Sequence, residues 1–138
     1  MTRILAALLI VGALVTAFYW WSYFTGGDVM VLHDRWYTAF ESSFPIADGW
    51  MALCMLAAGI GLWRGDAWGA RAGLLAGSAL LYLAAMDITF DVENGMYAQL
   101  AASDAMKFEL LINVWSLALG AATILFCWKR VATAQLSP

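Results

Sequence analysis

Residues 70–90 read ARAGLLAGSALLYLAAMDITF, and between Arg71 and Asp87 they carry no charge. A helix needs about 20 apolar residues to cross the hydrocarbon core of a bilayer, and this stretch supplies them. Residues 4–24, 46–63 and about 108–128 have the same character, with no Lys or Arg in their interiors. In lipid, backbone polar groups must be satisfied within the segment, so the four spans are expected to be helices rather than strands. The sequence therefore predicts an all-α membrane protein: a four-transmembrane-helix bundle forming a single domain over residues 1–138. Composition agrees. Hydrophobic residues make up 64% and charged residues 12% of the chain, against roughly 45–50% and about 25% in soluble proteins.

The first span has the layout of a signal peptide, with Arg3 ahead of an apolar run and Val15-Thr16-Ala17 as a passable cleavage site. The run continues through Tyr19, Trp20, Trp21 and Tyr23 to Phe24, which is long enough to span. An uncleaved first helix is expected.

Orientation follows from basic residues, which concentrate on the cytoplasmic side. Arg3, Arg64, Arg71, Lys129 and Arg130 flank one side of an even-spanning topology, and only Arg35 and Lys107 fall on the other. Both termini are expected to be cytoplasmic and the long 25–45 and 91–107 loops extracytoplasmic, as in a multi-pass protein of a bacterial-type plasma (inner) membrane. Tyr19, Trp20, Trp21, Tyr23 and Trp50 would form the outer aromatic belt, and Trp63, Trp68 and Trp128 the inner one. Trp36, Phe40 and Phe44, preceded by Val29 and His33, recur every three to four residues. That period suggests an interfacial amphipathic helix in the first outer loop.

Gly69, Gly73 and Gly77 share one helix face, which allows a second helix to approach closely. The partner is either within the chain, where Gly59, Gly61, Gly120, Ala121 and Ala122 are available, or a second copy or larger membrane complex. The lipid bilayer is the one obligatory partner. A net charge of −3 with no basic patch argues against nucleic acid. Cys54 and Cys127 lie inside apolar runs with no C-x-x-C between them, as buried small hydrophobes do.

Of ten Asp and Glu residues, only Asp66 falls on the cytoplasmic side. Asp28, Asp34 and Asp104 read as ordinary solvated loop charge. Asp48, Asp87, Asp91 and Glu109 are harder to dismiss. Asp87 and Asp91 are four apart on one helix face, where like charges repel unless a cation or proton lies between them. Glu109 opens the last span, with Asn113 and Ser116 on the following turns. Asp48 has a simpler alternative as N-cap of the second span. Glu41 would reach the same outer vestibule from the loop helix, as would Arg35. Arg35 and Lys107 together cannot neutralise this many carboxylates, which leaves a cation, shared protons or a cationic ligand to do so.

The expected ligand-binding set is thus Asp48, Asp87, Asp91, Glu109, Asn113 and Glu41. His33 is the sole histidine, and with Glu93 it is the weaker candidate for a metal site holding a divalent cation. Three functions compete: binding or oligomeric transport of a cation, protons or a cationic amphipath; a lipid- or sterol-binding membrane enzyme using buried carboxylates as acid and base; and an accessory subunit of a larger complex. In helix count, gathered carboxylates, and Asn113 with Trp115 in the last helix, the chain resembles the four-helix sterol-isomerase and sigma-2-receptor-like (EXPERA) proteins. That resemblance implies the second function and extends over no more than a few residues. No nucleophile elbow, phosphate loop or haem motif occurs.

Overall fold

The computed structural model describes residues 1–135, and its elements are all helical. They are α1 (Thr2–Phe24), α2 (Arg35–Glu41), α3 (Pro45–Arg64), α4 (Ala67–Glu93), a 3₁₀ turn (Met96–Gln99) and α5 (Asp104–Gln135). Four helices are long and apolar enough to cross a membrane, with α2 running into the second of them. Each overruns the apolar window read from the sequence. Helix formation continues into polar flanks where lipid burial stops, and local signals set the ends. Pro45 occupies the first turn of α3, where its missing N–H costs nothing. Gly65, at φ 80°, ends α3 in the left-handed region and lets α4 start two residues later, so α3 and α4 form a tight antiparallel pair. Gly95, at φ 65°, closes α4 in the same way. At the start of α5 the Ser103 hydroxyl accepts the Met106 N–H, as an N-cap side chain does.

Helices α1, α3, α4 and α5 pack in chain order, each against the next. Lipid tails are as apolar as leucine, so association depends on close packing of small residues rather than on the hydrophobic effect. The glycines supply it. A Cβ on Gly69 would strike the backbone of Gly61 and Leu62. One on Gly77 would stand 2.9 Å from the Gly120 carbonyl oxygen and 2.7 Å from Ile124. One on Gly73 would strike Cys127. The face containing Gly69, Gly73 and Gly77 is therefore occupied within the chain. Leu5, Leu9, Met55, Leu62, Leu80, Leu119 and Cys127 fill the core, whereas Ile4, Phe18, Leu53, Leu75, Tyr82, Leu125 and Trp128 point outward with much of their surface uncovered. A bilayer covers such a surface; water does not.

The ends of the arc differ. Arg130 donates to the Thr2 hydroxyl at 3.0 Å, tying the start of α1 to the end of α5. Elsewhere these two helices barely touch. The gap between them is a cavity.

The first loop is less helical than its period suggests. Asp34 is extended, and α2 covers only Arg35–Glu41, leaving Val29 and His33 outside it. Its buried side chains are Tyr37 and Glu41, with Phe40 stacked on Phe90 at 3.5 Å between ring centroids. Trp36 is half exposed.

Candidate functional site

The space between α1 and α5 is a half-open cavity of about 450 Å³. Its apolar wall includes Val11, Val15, Met51, Met55, Leu80, Leu83 and Ile112. Val11, Val15, Phe108, Leu111 and Trp115 stand at the rim and are themselves 41–61% exposed on the outer surface of the bundle. The opening thus lies on the side where apolar side chains point away from the core. The lining reaches Val11, Met55 and Leu80 and goes no further toward the ends carrying Thr2 and Arg64.

Polar groups crowd the α2 end. Glu41, Asp48, Asp87, Glu109 and Asn113 all line the cavity, joined by Thr16, Tyr19, Trp20 and Ser116. No Lys, Arg or His is among the lining residues. Five elements contribute: α1 through Tyr19 and Trp20, α2 through Glu41, α3 through Asp48, α4 through Asp87, and α5 through Glu109 and Asn113.

Aromatic donors hold three of these four carboxyls, Glu41, Asp48 and Glu109, in place. The Trp20 indole N–H donates to Asp48 Oδ2 at 2.9 Å. Tyr19 donates to Glu41 Oε2 at 3.2 Å. The Tyr37 hydroxyl lies 3.0 Å from Glu41 Oε1 and 2.9 Å from Glu109 Oε2. Asp48 is not the N-cap of α3: the helix begins at Pro45, and the side chain belongs to Trp20. Trp20 in turn is buried in the core rather than exposed in an interfacial belt, and Tyr19 also points inward, whereas Trp21, Trp50, Trp63, Trp68 and Trp128 face outward.

Some buried polar atoms have no partner among the described residues. Both carboxyl oxygens of Asp91, Oε1 of Glu109 and Nδ2 of Asn113 are in this position. Asn113 is 2% exposed, faces Asp87 without completing a hydrogen bond, and forms part of the cavity wall. A buried group left unpaired costs about 1–3 kcal/mol, more if charged, so these atoms mark where something else belongs. Asp91 is fully buried, one turn beyond Asp87, and stands outside the cavity lining with Glu109 and Tyr97 as its polar neighbours. In the 3₁₀ turn, burial and the Asp91 carboxylate push the Tyr97 phenol up to about 12.

The cations named from the sequence do not enter. Lys107 pairs with Asp104 at 2.7 Å on the surface, and Arg35 is exposed without an ion pair among the described residues. His33 pairs with Asp28 at 3.1 Å, both well exposed, and Glu93 is exposed on the last turn of α4. Among the described residues no group of three or more His, Cys, Asp or Glu is arranged to hold a metal ion. The residues that sequence reasoning missed are Tyr37 and the inward roles of Tyr19 and Trp20. Tyr37 precedes Glu41 by four residues, the spacing that puts two side chains on one helix face, and that signal was available.

No family model matches the chain, and neither does any curated protein or solved structure.

Proposed function

We propose that this chain is a membrane-embedded binding protein whose cavity takes an amphipathic molecule with a cationic head and an apolar body. One observation carries the reading: a cavity of about 450 Å³ with an apolar wall has four carboxyl side chains, Glu41, Asp48, Asp87 and Glu109, at one end and no cationic side chain beside them. The head sits against Asp87 and Glu109. Tyr19 and Trp20 add aromatic faces, which attract ammonium groups. The body follows Val15, Met55 and Leu83, and the ligand enters from the bilayer between α1 and α5. An anionic head is disfavoured there by like charge, and a neutral one leaves the carboxyls unsatisfied. Binding is favoured over passage because the lining ends at the level of Val11, Met55 and Leu80.

In the bilayer the acidic end faces outward, with α2 lying in the interface as its cover and both termini in the cytoplasm. The five-to-two bias of basic residues supports this placement.

The test is a head-group comparison by isothermal titration of the chain in lipid nanodiscs. Decyltrimethylammonium is expected to bind at least roughly tenfold more tightly than decanol, the factor that one charge-assisted contact supplies. Decyl sulfate is expected not to bind. Equal binding of all three, or of none, overturns the reading.

A further inference from the structure

Tyr37 is fully buried and carries one hydroxyl hydrogen, yet its oxygen lies 3.0 Å from Glu41 Oε1 and 2.9 Å from Glu109 Oε2. Two hydrogen bonds at these lengths need two hydrogens among the three oxygens. The phenol supplies one. If both glutamates were ionised, one close oxygen pair would have no hydrogen between its members, in a place where buried charge is costly. Glu41 is 8% exposed, and its other oxygen already accepts from Tyr19. No cation pairs with either glutamate among the described residues.

From this contact we infer that the Glu41–Tyr37–Glu109 triad holds a carboxylic proton in the empty cavity, and that a cationic ligand expels it. This rests on the proposed binding function and adds how that site is regulated. The balance is simple. One carboxyl donates its hydrogen to the Tyr37 oxygen, while the Tyr37 hydroxyl donates to the other. A cation seated against Glu109 favours the ionised carboxylate. The O–H bond of the carboxylic acid breaks, the proton leaves to solvent, and the carboxylate keeps the electron pair and faces the cation.

The groups facing the triad come from every neighbouring element: Tyr19 from α1, Asp48 from α3, Asp87 and Asp91 from α4, and Tyr97 from the 3₁₀ turn. None of them is cationic, so nothing among them replaces the proton. Glu109 Oε1 and both oxygens of the neighbouring Asp91 are buried without a partner among the described residues, where a further charge is unwelcome.

The experiment repeats the decyltrimethylammonium titration at one pH in two buffers of different ionisation enthalpy. The quaternary head has no proton to lose, so any proton released comes from the protein. About one proton released per ligand is expected. In Glu41→Gln the side-chain amide donates in place of the carboxylic hydrogen, so the protons released per ligand bound are expected to fall toward zero, with affinity weakened by the loss of one cavity carboxyl. Infrared difference spectra of the wild type supply a second readout: the carbonyl stretch of a protonated carboxyl is expected to disappear on binding. Binding with equal heats in both buffers and no carbonyl loss overturns the inference but leaves the binding function standing. Absence of binding overturns the function itself.

Discussion

The Tyr37 hydroxyl lies 2.9 Å from Glu109 Oε2 across 72 residues of sequence. This contact ties the short helix α2 to the start of α5 and closes the acidic end of the cavity. Most of the specific behaviour expected of the protein depends on it.

Replacing Tyr37 with Phe removes the hydroxyl that both glutamates contact and keeps the ring that packs on Trp36 and Phe90. The loss of a buried donor is expected to cost about 1–3 kcal/mol. It should appear as a lower melting temperature in detergent and faster hydrogen exchange over residues 35–41. Unchanged exchange would mean that α2 is held by its aromatic packing alone.

Trp20 and Asp48 separate stability from binding. Trp20→Phe strips Asp48 of its indole donor and is expected to lower stability by about 1 kcal/mol. Asp48 is then free to face a cation, so affinity for decyltrimethylammonium should hold or rise. Asp48→Asn is expected to weaken that affinity severalfold. Parallel loss in both variants would contradict separate roles.

The glycines give a contrast within one chain. Gly77→Leu pushes a side chain into Gly120 and Ile124 of α5 and is expected to destabilise by about 1–3 kcal/mol or more. Gly49 has nothing within 4 Å of an added Cβ. Gly49→Ala should be neutral or gain up to about 1 kcal/mol from helix propensity. Chemical denaturation of both variants checks the pair.

Ala84 is buried in the cavity wall, on the turn before Asp87. Ala84→Phe fills the space assigned to the apolar body and leaves every carboxyl in place. Binding of decyltrimethylammonium should fall by tenfold or more, with near-ultraviolet circular dichroism showing that the fold is kept. Undiminished binding would put the ligand elsewhere on the protein.

The four helices could be read from the sequence because lipid demands long uncharged runs, and such runs leave a plain mark at residues 70–90. The acidic cluster was equally legible in Asp48, Asp87 and Glu109, because carboxylates inside apolar spans stand out. Asp91 shows the limit of that reading: sharing a helix face with Asp87 does not place it on the cavity, because it is fully buried beside Glu109 and Tyr97. Tyr37, Tyr19 and Trp20 were hidden for another reason. An aromatic near a membrane surface looks like an anchor, and only the packed helices show whether its polar atom points to lipid headgroups or to a buried carboxyl. The glycine face was ambiguous in the same way until Gly61 and Gly120 were found opposite it.

The proposed function centres on a cationic head held by Asp87 and Glu109. Its most direct test is the dissociation constant of decyltrimethylammonium for the wild type and for the double variant Asp87→Asn, Glu109→Gln, measured in the same nanodiscs. A loss of at least roughly tenfold is expected in the double variant, with decanol binding unchanged. Equal affinity of the two proteins for the ammonium amphiphile would contradict it.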